Sequence, residues 1–441
     1  MRNNQHKMKI GIVVNSSWNI YNFRAGLIKA FLQNHEVIAI APDDGYRKPL
    51  EEMGCTFEPV PMECKGTNPI NDALLVKRLV AAYKKHNLDV VLHYTIKPNI
   101  YGTIAAELLK IPSINNVTGL GTVFLREGIS SKIAQYLYRF TFRFPKIVFF
   151  QNTDDRELFI NKNLIHESIA RLLPGSGIDT NHFVPEKPTL SIPKGKNKKE
   201  FTFLLIARVL YDKGIAEYAD AIKLLRSKGI NARFQLLGKI DETKGLGVPE
   251  KQIKQWEKEG ILKYLGTTGD VRPLISNADC VVLPSYREGT PRTLLEAACL
   301  GKPIITTDVP GCRETVIHNF NGYLCEAKNA YDLADKMQRM ICLDKGKLEE
   351  MGVNSRWLAE TKFDQQIIIK KYTEVIDKVR VEGSMRDIPI RSRFAKMRSK
   401  VQARQLQEQR DKQRDKIKIA SIKQEKINTN SIVTSGILIE S

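Results

Sequence analysis

The sequence predicts an α/β protein made of two Rossmann-like, doubly wound domains and a basic C-terminal tail. Three observations carry this. Short apolar, β-branched runs alternate with helical patterns along most of the 441 residues. The alternation stops at Val184–Glu200 (VPEKPTLSIPKGKNKKE) and then restarts. From Ser384 the chain turns to Lys, Arg and Gln with few apolar residues. Continuous apolar strands separated by helices signal parallel sheets covered on both faces.

The elements follow in order. Ile10–Val14 reads as a first strand and Phe23–Leu32 as the helix after it. Val37–Ile40, Phe57–Val60, Val90–His93, Ser113–Val117 and Ile147–Gln151 continue as strands. Tyr46–Met53, Asp72–Lys85, a segment from Asn99 and Asp154–Asn161 fill the helical intervals. These make an N-terminal domain over 8–183. The Pro- and Lys-rich stretch 184–200 has little to bury and reads as a linker. In the second domain, 201–360, strands fit Thr202–Ile206, Phe234–Leu237, Cys280–Leu283 and Ile304–Thr306. Helices fit Ile215–Leu225, Arg292–Leu300 and Ala330–Met340. Gln365–Val379 is a final helix, within a 361–382 segment expected to pack back on the N-terminal domain. Residues 384–441 read as disordered or as a lone solvated helix.

Composition narrows the class. Hydrophobic residues make up 42% and charged residues 27%, enough to build large cores without a disulfide framework or structural metal. The seven cysteines are odd in number, irregularly spaced and without a C-x-x-C pair, which fits a reducing cytoplasm. The N-terminal apolar run is too short for a signal peptide, and no stretch is long enough to cross a bilayer. The net charge of +20 points to a polyanionic partner: nucleic acid, anionic lipid or phosphorylated substrates. The tail holds 14 Lys/Arg against 6 Asp/Glu, a net +8. No zinc-finger spacing or RNA-binding aromatic motif accompanies the charge, so nucleic acid is not an expected partner.

Two clusters carry chemistry. PSYREGTPRTLLEAACLG (Pro284–Gly301) follows an apolar strand and opens a helix. Gly289–Pro291 is turn-like and can point backbone N–H groups at phosphate or sugar oxygens. Glu288 and Glu296 frame it with seven residues between, suited to a ribose diol and a hexose. The same spacing also fits two surface glutamates on an ordinary βα unit. Upstream, Arg208 and Lys213 occupy the first βα turn of the second domain, at the strand edge where open α/β sheets bind ligands. Arg grips a diphosphate with a planar fork and Lys adds a point charge; a plain basic loop fits the same residues. Together, diphosphate cations and diol-binding carboxylates at one edge describe a nucleotide-sugar site.

The pattern Arg208-x4-Lys213-Gly214, with EGTPRTLLEAACLGKP from Glu288, resembles the retaining glycosyltransferases of family 4, which have the GT-B fold of two Rossmann-like domains facing across a cleft. The resemblance covers about residues 8–380. The stretches NSSWNIYNFRAGLI, HYTIKPNIYG, NVTGLG and RVLYDKG narrow it to bacterial enzymes that extend undecaprenyl-diphosphate-linked glycans. These include N-acetylgalactosaminyltransferases acting on lipid-linked diacetylbacillosamine, and capsule and O-antigen transferases.

This resemblance implies a hexosyltransferase that uses a UDP-sugar and a lipid-linked glycan acceptor. Arg208 and Lys213 would neutralise the donor diphosphate, and Glu288 would contact the donor sugar. Glu296 would bind the ribose, with Gly289, Thr290, Arg292 and Thr293 completing the nucleotide site. No metal is expected, because no D-x-D pair or His/Cys cluster suits one. The N-terminal domain, on the acceptor side, departs from the broad family. Asn15-Ser16-Ser17-Trp18 stands in place of a Gly-rich loop, and Asn116-Val117-Thr118-Gly119-Leu120-Gly121 replaces a His-Gly. Asn116, Thr118 and Gly119 could meet the donor sugar, while Arg24, beside Asn22, could grip an acceptor diphosphate. His93 could line the cleft or sit satisfied in the core. Ser130–Phe144 mixes aromatics with Lys132, Arg139 and Arg143; it reads either as an interfacial helix or as one packed on its neighbours. The expected location is cytoplasmic, at the anionic inner surface of the bacterial membrane. A nucleotide-sugar 2-epimerase of the same architecture is the alternative function.

Overall fold

In the computed structural model, residues 7–63, 66, 68–120, 128–185, 200–241 and 245–386 are described. Most of the 184–200 linker, Gly121 and the tail from 387 lie outside them. The chain divides into two compact units, Met1–Ile376 and Asp377–Ser441. In the second unit only 377–386 are described, where Arg380 lies 3.0 Å from Asp377.

The first unit holds two lobes. The N-terminal lobe runs β1 (Lys9–Val13), α1 (Ser17–Leu32), β2 (Glu36–Ala41), α2 (Arg47–Glu52), β3 (Thr56–Pro59), α3 (Pro69–His86) and β4 (Val90–Tyr94). It continues with α4 (Thr103–Leu108), β5 (Ser113–Val117), α5 (Ile129–Thr141), β6 (Ile147–Phe150), α6 (Thr153–Asn161) and β7 (Ala170–Leu172). Its strands pair in the order β3-β2-β1-β4-β5-β6-β7, every pairing parallel. Ile10, Ile12, Val90, Val91 and Leu92 are fully buried, as strands covered on both faces require. Helix starts are set locally. Ser16 accepts from the Asn19 amide, Asn68 from Ile70, and Asn152 from Asp155, satisfying orphan donors of the first turn.

The second lobe runs β8 (Thr202–Ile206), α7 (Ile215–Ser227), β9 (Arg233–Leu237), α8 (Glu250–Lys258), β10 (Lys263–Tyr264), α9 (Arg272–Asn277) and β11 (Cys280–Leu283). It closes with α10 (Arg292–Cys299), β12 (Ile304–Thr307), β13 (Gly322–Cys325), α11 (Ala330–Cys342), α12 (Lys345–Leu358) and the first part, to Ile376, of α13 (Gln365–Arg386). The sheet order is β10-β9-β8-β11-β12-β13, again all parallel. Each order reverses once, between β1 and β4 and between β8 and β11. Such switch points leave a crevice at the carboxyl ends of the strands.

The start of α13 lies against the N-terminal lobe. The Tyr372 hydroxyl accepts from Asn116 Nδ2 of that lobe at 2.8 Å, while the amide of Gln365 donates at 2.9 Å to Ile178 O in the segment after β7. Tyr372 also meets Phe149 edge-on at 5.0 Å.

Candidate active site

The second lobe's switch point places the loops after β8 and β11 side by side. The β8 loop carries Arg208 and Lys213, and ends at Gly214 with φ +71°. A Cβ there would lie 2.1 Å from Pro284 O, so the left-handed glycine lets the two loops touch. Their backbones join where the Tyr286 amide donates to Asp212 O at 2.9 Å.

This brings Lys213 Nζ to 2.5 Å from Glu288 Oε1, with both side chains under one-fifth exposed. Ser285 Oγ donates to the same carboxylate oxygen at 2.9 Å. Burial on its own would lower the Lys213 pKa, but the Glu288 carboxylate outweighs it and the ammonium is held more firmly charged than usual. Two of its three N–H donors have no protein partner among the described residues and are available to phosphate oxygens. Arg208 stands more exposed, 3.7 Å from Asp241, close enough to act electrostatically on Lys213.

Glu296 lies within α10, buried, its Oε1 3.1 Å from Arg292 Nε. Burial pushes its carboxyl above the ordinary range and Arg292 pulls it back in part. Thr293 follows Arg292, half-buried in the first turn.

The N-terminal lobe closes over the loop that carries Glu288. A Cβ on Gly119, at φ +120°, would lie 3.0 Å from the Gly289 amide nitrogen, and one on Gly289 would lie 2.1 Å from Thr118 O. Thr118 and Gly119 therefore stand against the loop that carries Glu288 and Gly289, and only glycines allow that approach. Asn152 Nδ2 reaches Gly289 O at 3.3 Å, and Thr290 Oγ1 reaches Gln151 O at 3.4 Å. Arg287 donates to the buried Asp155 of α6. Burial raises the Asp155 carboxyl and Arg287 only partly offsets it.

Other expectations need correction. His93 does not line the cleft. It is fully buried, with Nε2 2.9 Å from the Tyr83 hydroxyl and Nδ1 3.0 Å from Asn115 Oδ1. Burial lowers its pKa to about 4, so it is a neutral core histidine. Asn116 is also buried, its Nδ2 on the Tyr372 hydroxyl and its Oδ1 without a partner among the described residues, while the half-exposed Asn22 donates to Trp18 O of its own helix. Arg24 is buried with its guanidinium 4.2 Å over the Tyr94 ring. Ser285, Arg287 and Asp155 are the site residues that patterning misses. Arg287 and Ser285 lay inside the segment already singled out, but nothing in sequence ties Asp155 to them.

A model of group 1 glycosyl transferases matches residues 186–356, and a glycosyl transferase 4-like model matches 9–152. The chain is 30% identical over 383 residues to the N,N'-diacetylbacillosaminyl-diphospho-undecaprenol alpha-1,3-N-acetylgalactosaminyltransferase of Campylobacter jejuni, covering 84% of this chain and 99% of that one. The chain is a family 4 glycosyltransferase. This glycosyltransferase is also 24% identical to the UDP-Gal:alpha-D-GlcNAc-diphosphoundecaprenol alpha-1,3-galactosyltransferase of Escherichia coli, over 67% of this chain and 77% of the relative. Its two-lobed GT-B fold is shared with Anabaena HepE in complex with UDP-glucose, at TM-score 0.68 and 20% identity, covering 84% of this chain and all of HepE. Sucrose-phosphate synthase from Thermosynechococcus elongatus superposes with TM-score 0.70 at 17% identity, covering 85% of this chain and 100% of the synthase. Among the described residues no helix is long and apolar enough to cross a membrane.

Proposed function

We propose that this glycosyltransferase moves a hexose or N-acetylhexosamine, with retention, from a UDP-sugar to an undecaprenyl-diphosphate-linked glycan, in the assembly of a surface polysaccharide or a protein-linked glycan. The observation that carries the reading is the pairing of Lys213 with Glu288 beside Arg208 at the second lobe's switch point, under the N-terminal lobe, with Glu296 buried in the helix that the Glu288 loop opens. The named substrates of the Campylobacter and Escherichia relatives supply the lipid-linked acceptor.

Lys213 and Arg208 bind the donor diphosphate, and Glu296 accepts from the ribose hydroxyls. Glu288, fixed by Lys213 and Ser285, orients the sugar. The acceptor hydroxyl attacks C1 on the face the leaving group departs from. As the C1–O bond breaks, the UDP phosphate oxygen gains the bonding pair and takes the hydroxyl proton. Negative charge grows on that phosphate, so fixed cations bind it more strongly in the transition state than in the ground state. They supply positive charge without a metal ion, so transfer should survive chelation.

A position on the inner membrane surface fits α5. It buries Ala134 and Tyr138 and exposes Ile133, Tyr136 and Phe140, with Phe144 beyond its end. Lys132 and Arg139 flank that face, and cations near anionic lipid are worth about 1 kcal/mol each. Flotation with anionic vesicles should capture the protein, and Tyr136→Glu with Phe140→Glu should release it.

The catalytic reading is tested by transfer from labelled UDP-sugars to membranes holding lipid-linked intermediates. Glu288→Gln, Glu296→Gln and Arg208→Ala should each lower the rate by about a hundredfold with unfolding temperatures unchanged. Full activity in all three rules the assignment out.

A further inference from the structure

Helix α1 buries a cation, Arg24, that has no counter-ion among the described residues. It is 4% exposed. One terminal nitrogen donates to Phe23 O at 2.9 Å, while Nε has no partner. Stacking over Tyr94, at the end of β4, offsets only part of the cost of burying the charge. Arg24 therefore stands at the N-terminal lobe's own switch point, between β1 and β4, where open sheets take ligands.

Arg292 of the other lobe faces it. Its guanidinium lies 5.3 Å from the ring of Phe23, the neighbour of Arg24, and the two cations repel. The pairing of Arg292 with Glu296 does little for α10. Arg292 is the first helical residue, where the helix dipole disfavours a cation. The order Arg before Glu at i,i+4 is also the weaker one. Glu296, meanwhile, is the carboxylate that the proposed function gives to the donor ribose.

We propose that Arg292 is an exchangeable occupant of Glu296. The donor ribose diol takes its place, and the freed guanidinium joins Arg24 in a two-arginine site, spanning both lobes, for the diphosphate of the acceptor lipid. Donor binding thus completes the acceptor site. Two guanidinium forks facing one diphosphate give charge-assisted, bidentate contacts that neither lobe makes alone. The inference rests on the nucleotide-sugar reading and reassigns Arg292 from holding the nucleotide to holding the acceptor.

Calorimetry on the full chain separates these roles, with UDP and geranyl diphosphate as probes. Geranyl diphosphate is titrated into UDP-saturated protein, so that the donor diphosphate site is already filled. Arg292→Ala and Arg292→Gln should bind UDP as tightly as the parent protein or tighter, because a competitor for Glu296 is gone. Both should bind geranyl diphosphate at least about tenfold more weakly. Arg24→Lys, which keeps the buried charge and so the fold, should weaken geranyl diphosphate likewise and leave UDP unchanged. Weaker UDP binding in the Arg292 variants, or undiminished geranyl diphosphate binding in them, overturns the exchange. If the parent protein fails to bind UDP at all, the nucleotide-sugar reading falls and this inference falls with it.

Discussion

Removing Asp155 should destabilise the protein, and removing Arg287 as well should restore most of the loss. Asp155 is fully buried on α6, while Arg287 is 19% exposed at its side chain and has a buried Nε without a partner. Asp155→Ala strands that guanidinium and removes one of the two acceptors of Asn152 Nδ2, now 3.1 Å from Asp155 Oδ2 and 3.3 Å from Gly289 O. Breaking a buried pair costs about 3–5 kcal/mol, and the partial exposure of Arg287 favours the lower end. Unfolding entropy of about 2.1 cal/mol/K per residue gives about 0.8 kcal/mol/K for the Met1–Ile376 unit. A loss of about 3 kcal/mol then lowers Tm by about 4 °C. In Asp155→Ala/Arg287→Met no charge is stranded, and the double-mutant cycle should return a coupling of about 2 kcal/mol. Scanning calorimetry on the four proteins reads it. Transfer rates should fall in the single variants too, because Arg287 adjoins Glu288. Additive Tm shifts, or single-variant shifts below about 1 °C, refute the idea that this pair pins the catalytic loop to the N-terminal lobe.

Three further outcomes are expected. UDP affinity should fall as pH drops from neutral at a higher pH than an ordinary glutamate would dictate, because burial raises the Glu296 carboxyl and protonation removes the charge that strengthens its hydrogen bonds from the ribose hydroxyls; titrations at several pH values check this, and Glu296→Gln should flatten the profile. His93 has its pKa depressed to about 4, so the unfolded chain takes up a proton below pH 6.5 while the folded one does not. Its stabilisation is present above that pH and is lost on acidification, by about 2 kcal/mol at pH 5; urea unfolding at pH 7 and 5 should show that loss in the parent protein and not in His93→Gln. Gly119→Ala puts a methyl group 3.0 Å from the Gly289 nitrogen at a φ that disfavours it; steady-state kinetics should show turnover reduced about tenfold, with Tm within a few degrees of the parent.

Most of the fold was legible because its parallel strands are buried on both faces and so appear as unbroken apolar runs, Val90–Tyr94 and Cys280–Leu283 among them. Several of the elements that patterning misses lack that signal. β7 reads ARL with two exposed residues, β10 is two residues long, and α8 buries only Ile253 and Trp256 within a charged stretch. At the site, the pairing of Lys213 with Glu288 beside Arg208 follows from two loops at one sheet edge, which sequence order reveals. The contact of Arg287 with Asp155 does not. It joins residues 132 positions apart in different lobes, and its partners depend on how the lobes close. The His93 ambiguity had the same origin: a strand-end histidine reads alike whether it faces the crevice or meets Tyr83 and Asn115 in the core.

A crystal structure of the UDP complex tests the central claim most directly. The account predicts the diphosphate within hydrogen-bonding distance of Lys213 and Arg208, with the ribose hydroxyls on Glu296. UDP bound away from the loops after β8 and β11, with Lys213 and Glu296 untouched, would contradict it.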